Sequence, residues 1–192
     1  MIYALITARG GSKGIKNKNL KKIGNLSLLE KTCRNIKNSN LFDKIFCSSD
    51  SLKILNILKK NKIYPIKRPD NISKDKSNSI LAVYHFYYFL IRKKIELPEI
   101  VFLFQPTSPF IKTETINKIV NIYDKYPKTN SVISVYKVNN KYNYINQRKL
   151  NKKNEIKFLF ETQRNKMNRR QDKPDVYVHG NLFSFKIKQV LK

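Results

Sequence analysis

Five apolar residues, Ile2-Tyr3-Ala4-Leu5-Ile6, run without a polar break and end at a loop, Ala8-Arg9-Gly10-Gly11-Ser12-Lys13-Gly14, followed by Asn17-Lys18-Asn19-Leu20. A short unbroken apolar run with no alternation is the pattern of a buried strand. The loop behind it carries the cations Arg9 and Lys13, with Lys18 close by. Glycines let backbone N–H groups approach an oxygen closely, and the cations add charge, so a strand feeding such a loop is a way of holding phosphates. No Gly-Lys-Ser/Thr closes this loop, and it does not read G-x-G-x-x-G. The two commonest nucleotide fingerprints are therefore excluded.

The rest of the chain repeats strand and helix in turn. Tyr3 to Ala8 is predicted as the first strand. Leu28 to Lys37 has apolar residues at helical spacing, Leu28, Leu29, Thr32, Cys33 and Ile36. Lys44 to Ser48 reads as a strand, and Ser51 as the cap of a helix carrying Leu52, Leu55, Ile57 and Leu58. Ile63 to Lys67 is a short strand, and a long apolar helix starts at Ser77 or Ser79 and runs to about Arg92. A strand over Ile100 to Phe104, a helix over Thr113 to Tyr126 with Ile116, Ile119, Val120 and Tyr123 on one face, and a strand over Ser131 to Val138 follow.

This order predicts an α/β fold, a Rossmann-like, mainly parallel sheet with helices on both faces. Ligands of such sheets bind at the carboxyl ends of the strands. Three polar motifs follow predicted strands: the first loop, Ser48-Ser49-Asp50, and Gln105-Pro106-Thr107-Ser108-Pro109. One site on one sheet edge is the expectation. Residues 139–168, rich in Asn, Lys and Tyr, break the rhythm, with only Ile156 to Phe160 strand-like. They fit an inserted hairpin arm, an oligomer contact or a loose loop, the last favoured by their low complexity.

Length and composition narrow the class. The 192 residues are expected to form a single domain, 1–192, with a real core. No signal-peptide pattern and no apolar stretch long enough to span a bilayer is present, so a cytoplasmic protein without a membrane partner is expected. Cys33 and Cys47 make no metal spacing and are expected to be free core thiols. The formal net charge of +27 suits a polyanion partner. The lysines nevertheless form no single block and no RNA motif appears, so compositional drift around a small anionic substrate, with no specific nucleic acid, is the favoured reading.

Taken together, Ala8-Arg9-Gly10-Gly11-Ser12-Lys13-Gly14, Lys18-Asn19-Leu20, Ser49-Asp50, Arg68-Pro69, Gln105-Pro106-Thr107-Ser108-Pro109 and Arg170-Gln171 resemble, in order and spacing, the acylneuraminate cytidylyltransferases, or CMP-sialic acid synthetases. The resemblance covers residues 2 to about 175. It implies that CTP and a nonulosonic (sialic-acid-like) sugar acid give the CMP-sugar and pyrophosphate, with Mg²⁺ bridging phosphate oxygens. It also implies a homodimer whose small dimerisation arm lies in residues 139–168.

Residue by residue, the resemblance makes Arg9 and Lys18 triphosphate contacts, on a nucleotide loop that includes Gly10, Gly11 and Ser12. Asn19 becomes a nucleotide contact, and Arg68 a cytosine or phosphate-side contact. Ser79 either hydrogen-bonds the base or is a plain helix cap. Asp50 either orients neighbouring loops through backbone N–H groups or simply opens a helix. Gln105 places a neutral amide at the sugar acid, where a carboxylate would repel it. Arg170, with Arg169, is the expected clamp for the sugar carboxylate; otherwise Arg164, Arg169 and Arg170 are a solvated basic run.

Two departures from the family pattern stand out. His179-Gly180-Asn181-Leu182-Phe183 inverts the usual Asn-Gly, and Val178 stands where a sugar-side arginine is expected. His179 is either a sugar contact or an incidental loop residue. The family also continues to an Asp-Ile-Asp segment that holds magnesium, whereas this sequence stops at Lys192. The metal ligands are therefore unknown, and the rival expectation is a shortened homologue that binds nucleotide without turnover.

Overall fold

The computed structural model describes residues 1–11, 14–74, 77–167 and 169–191. Ten strands and five α-helices are described: β1 Ile2–Thr7, β2 Lys22–Ile23, β3 Leu26–Ser27, α1 Leu28–Asn38, β4 Lys44–Ser49, α2 Leu52–Lys60, β5 Tyr64–Lys67, α3 Ile80–Arg92, β6 Ile100–Phe104, α4 Thr113–Lys125, β7 Ser131–Lys137, β8 Arg148–Leu150, β9 Ile156–Phe158, α5 Glu161–Asn165 and β10 Tyr177–Lys186. The chain divides into two compact units, residues 1–133 with 181–192, and residues 134–180.

The main sheet has the order β5-β4-β1-β6-β10-β7. β1 pairs in parallel with β4 and with β6, and β4 pairs in parallel with β5. β10 is antiparallel to β6, with Phe183 opposite Leu103 and Phe185 opposite Val101. The sheet is thus mainly parallel and mixed. The chain leaves β1 towards β4 and β5, then crosses back to β6 on the other side of β1. That reversal makes the carboxyl ends of β1 and β6 a topological switch point, where a crevice opens in sheets of this kind.

The apolar run of β1 is explained by its central place. Ala4 and Ile6 face one core with Leu29, Cys33 and Ile36 of α1, Ile54 and Leu58 of α2, and Ile116 and Ile119 of α4. Tyr3 and Leu5 face the other with Val83, Phe86 and Leu90 of α3. Successive side chains of a strand point to opposite faces, so a strand covered on both sides has no position for a polar residue. Both cysteines are free and buried, and burial pushes the Cys33 thiol up to about 12.

Local signals set the helix starts. Ser27 and Glu30 form a reciprocal capping box at the head of α1: Glu30 N–H donates to Ser27 Oγ at 3.2 Å, and Ser27 N–H donates to Glu30 Oε2 at 2.8 Å. Ser51 precedes α2 but makes no side-chain cap. The buried stripe of α2 is Ile54, Leu55 and Leu58. Leu52, expected on that face, is 68% exposed at the first helical position.

The unit of residues 134–180 contains the whole 139–168 segment. Within it β8 and β9 form an antiparallel hairpin in which Arg148 faces Phe158 and Leu150 faces Ile156. The loose-loop reading is corrected here: Asn151 closes the turn, its Oδ1 accepting from the N–H groups of Lys153 and Glu155. Gly180 lies so close to β7 that an added Cβ would sit 2.6 Å from the Ser134 carbonyl oxygen.

Candidate active site

At the carboxyl edge of the parallel strands, the loops after β1, β5 and β6 and the segment leading into α3 surround an open cleft of about 550 Å³. Arg9 follows β1, which is prolonged by Ala8 N–H donating to the Ser48 carbonyl at 3.1 Å. Lys18 and Asn19 sit on a short 3₁₀ turn, Lys18–Leu20, preceded by Asn17 with a left-handed φ of 54°, which an Asn adopts more readily than most residues. Asn19 is 6% exposed, and its Nδ2 donates to the Arg9 carbonyl at 2.8 Å.

Arg68 enters from the end of β5. Its backbone N–H donates to the Ser49 carbonyl at 2.8 Å, and its Nε donates to Ser73 Oγ at 3.0 Å. Ser73 in turn donates to the Pro69 carbonyl at 2.8 Å, so the guanidinium hangs on a folded loop. Burial pulls the Arg68 guanidinium below its ordinary range, Asp50 beside it counters this, and Arg9 adds to the depression. An arginine keeps its proton through such shifts, so the cleft wall is permanently cationic.

Gln105 is exposed at the end of β6 and lines the cleft with Pro106 and Thr107. Its carbonyl accepts from Ser108 N–H at 3.0 Å, and Asn35 Nδ2 donates to the Pro109 carbonyl at 2.6 Å. The Gln-Pro-Thr-Ser-Pro turn is therefore fastened to α1. At the head of α3, Asn78 Oδ1 accepts from Ile80 N–H at 3.0 Å. Ser79 makes no side-chain cap, so the plain-cap reading of Ser79 is corrected: Asn78 does that work and Ser79 faces the cleft.

Of the residues singled out in the sequence, Arg9, Lys18, Asn19, Arg68, Ser79 and Gln105 line this one cleft. Gly10 and Gly11 do not line it. The expectation that the glycine N–H groups are directed at phosphate oxygens is corrected at Gly10, whose N–H donates to Asp50 Oδ1 at 2.8 Å. Asp50 thus holds a neighbouring loop, one of its two sequence readings. Ser12 and Lys13 lie outside the described residues. Arg170 is exposed on a 3₁₀ turn, Arg170–Asp172, of the 134–180 unit, and His179 is exposed in the same unit. Arg164 is not part of a solvated run, because its Nη1 donates to the Met167 carbonyl at 2.7 Å and its guanidinium lies over the Phe158 ring.

Sequence reasoning missed Thr7, Lys74 and Asn78, which also line the cleft. Thr7 was legible as the first polar residue after an apolar strand, and Asn78 as a cap. Lys74 stands in a loop among many lysines and carries no local signal. Among the described lining residues four are cations, Arg9, Lys18, Arg68 and Lys74, and none is a carboxylate. The charge of such a cleft is complementary to a polyanion. Among the described residues no helix is long and apolar enough to cross a membrane, and no cluster of three or more His, Cys, Asp or Glu comes together.

The chain is 31% identical over 144 residues to the N-acylneuraminate cytidylyltransferase of Escherichia coli O18:K1:H7, covering 72% of this chain and 32% of that protein. It is 31% identical over 135 residues to the CMP-N,N'-diacetyllegionaminic acid synthase of Legionella pneumophila, covering 70% of this chain and 57% of that protein. The chain therefore spans about a third to somewhat over half the length of these relatives. Among solved structures, a CMP:2-keto-3-deoxy-manno-octonic acid synthetase complexed with CTP superposes with a TM-score of 0.73 at 10% identity, over 99% of this chain and 76% of that one. At that identity the likeness concerns the fold. The cytidylyltransferase family profile matches residues 3–192, and the chain belongs to that family.

Proposed function

We propose that this chain is a cytidylyltransferase that joins CMP from CTP to a nonulosonic sugar acid and releases pyrophosphate. The observation that carries the reading is the cleft at the switch point, with four cations and no carboxylate among its described lining residues. A triphosphate carries about four negative charges, and such a wall neutralises them without desolvating a competing anion. The relatives' names supply the sugar class, and Gln105 supports it, since a neutral amide accepts an anionic sugar beside the phosphates.

In this reading Arg9 and Lys18 hold the triphosphate, and Arg68, fixed by Ser73 and Asp50, holds the nucleotide from the opposite loop. Ser79 completes the nucleotide side, Asn19 holds the Arg9 carbonyl at the edge of the cleft, and Gln105 orients the sugar. Arg170 is proposed as the clamp for the sugar carboxylate, and the 134–180 unit as the arm of a homodimer. The sugar hydroxyl attacks the α-phosphorus and pyrophosphate leaves, so positioning and charge stabilisation do most of the work. Magnesium belongs to the proposal only as a companion of the nucleotide. The described lining offers amides, hydroxyls and cations, a donor set that does not fit a protein-held Mg²⁺.

The test is pyrophosphate release from CTP and Mg²⁺ with N-acetylneuraminic, legionaminic or pseudaminic acid. Release with one sugar supports the reading and names the substrate. CTP binding without release from any of the three supports a nucleotide-binding homologue instead.

A further inference from the structure

The peptide bond between Arg9 and Gly10 is held at both ends. Its carbonyl oxygen accepts from Asn19 Nδ2 at 2.8 Å, and its N–H donates to Asp50 Oδ1 at 2.8 Å. In a trans peptide these two groups point in opposite directions, so the plane cannot turn without breaking both bonds. The acceptor on the N–H side is a carboxylate, which makes that bond stronger than one between neutral groups. The Asn19 side is buried at 6% exposure, so its amide has little water to exchange with.

Packing enforces the same geometry. A Cβ at Gly10 would lie 2.7 Å from Ser51 Cβ, so the loop is pressed against the residue after Asp50. Asp50 also lies 4.0 Å from an Arg68 guanidinium nitrogen, and its carbonyl accepts from Lys67 Nζ. One carboxylate therefore touches both the loop that bears Arg9 and the side chain of Arg68. Neither Asp50 nor the Gly10 N–H lines the cleft.

We propose that Asn19 and Asp50 are a pair of positioning residues that clamp the Arg9–Gly10 peptide and so aim Arg9 at the phosphates of the nucleotide. This rests on the reading of the cleft as a CTP site and deepens it. Asn19 acts through the Arg9 carbonyl, and Asp50 acts through Gly10 while holding Arg68 at the same distance from the loop. The alternative to a clamp is two bonds that stabilise the fold with no bearing on Arg9.

The experiment uses the full chain with Asp50→Ala, Asp50→Asn, Asn19→Asp, Arg9→Ala and the Arg9→Ala/Asp50→Ala double variant. CTP and tripolyphosphate are titrated calorimetrically, and the Gly10 amide is followed by NMR without nucleotide. Asp50→Ala is expected to weaken both ligands about tenfold, and Asp50→Asn, which keeps an acceptor oxygen, by less than about threefold. Asn19→Asp has the same shape but turns an oxygen towards the Arg9 carbonyl and adds a carboxylate to the cleft wall, so it should weaken both ligands at least as much as Asp50→Ala. In the Arg9→Ala background, Asp50→Ala should cost clearly less than its roughly tenfold in the wild type, what remains being the loss of the Asp50 partner of Arg68, because residues acting as one unit are not additive.

Additive losses, or unchanged binding by a folded Asp50→Ala, would overturn the proposal. Should Asp50→Ala fail to fold, Asn19→Asp with Asp50→Asn decides: equal affinities overturn the clamp. Wild-type protein that binds neither CTP nor tripolyphosphate would remove the cleft reading itself. The Gly10 amide would then still report whether the peptide is held, by its fast exchange in Asp50→Ala.

Discussion

Gly10 and Gly11 are adjacent and look alike in the sequence, yet their surroundings differ. A Cβ at Gly10 meets Ser51 Cβ at 2.7 Å, while a Cβ at Gly11 meets nothing within 4 Å. Gly10 thus allows close approach to Ser51 at the head of α2, and its N–H is committed to Asp50. Gly10→Ala should destabilise the protein by about 1–3 kcal/mol through overpacking and loss of that bond. Gly11→Ala should stay within about 0.5 kcal/mol of wild type. Urea unfolding of the two variants measures this, and equal destabilisation would refute the distinction. The sequence predicts a glycine-rich phosphate loop; that Gly10 serves packing instead depends on Ser51 and Asp50, about forty residues away in the chain.

At the scale of elements, the signals that survived are those each segment carries alone. Ile100–Phe104 lies where its apolar run placed it, and the spacing of Leu29, Cys33 and Ile36 gave α1 its buried face. β10 was not delimited, because its ten residues include Gly180 and Asn181, which argue against a strand. Gly180 is required there by the close Ser134 backbone, a partner far away in sequence. The hairpin over 148–158 was obscured likewise, since Arg148, Lys149 and Lys157 dilute the apolar pattern that Leu150, Ile156 and Phe158 make across two strands. The cleft followed the same rule: Gln105 and Arg68 were legible from motifs, while Lys74 was not.

A capping box is a purely local element, and its energetics can be tested as such. Ser27 holds the Glu30 carboxyl below the ordinary carboxylate range through a side-chain and a backbone hydrogen bond, with burial acting in the opposite direction. A carboxyl with a lowered folded pKa contributes stability above its unfolded value of 4.5, and that contribution is lost as pH falls through the folded value. Ser27→Ala should cost about 1 kcal/mol at neutral pH. It should also flatten the decline in stability on acidification below pH 4.5, since the Ser27 side-chain bond is the largest cause of the shift. Denaturant unfolding at a series of pH values checks both, and a parallel offset at all pH values would show that the box is not coupled to the Glu30 proton.

The whole molecule offers two distributions of positive charge to an anion, and they should respond differently to salt. The net charge of +27 is spread over the chain, and such a surface attracts any polyanion by releasing counterions. The cleft instead gathers Arg9, Lys18, Arg68 and Lys74 around one space, with Arg68 at 6% exposure. Surface charges farther apart than about 8 Å are screened at physiological ionic strength, whereas sheltered ones are screened much less. Raising salt from about 50 to 200 mM should therefore weaken a single-stranded RNA that makes about seven phosphate contacts by roughly 10³. CTP, expected to make fewer phosphate contacts, one of them to the buried Arg68, should lose less than about tenfold over the same range. Arg9→Ala should abolish most CTP affinity while leaving RNA binding within about twofold, because one charge of many is lost from the surface but one of four from the cleft. Fluorescence polarisation of labelled RNA beside calorimetric CTP titration reads both quantities. If salt and Arg9→Ala weakened the two ligands alike, the nucleotide would be held by the general surface charge, and the cleft would lose its claim to be the site.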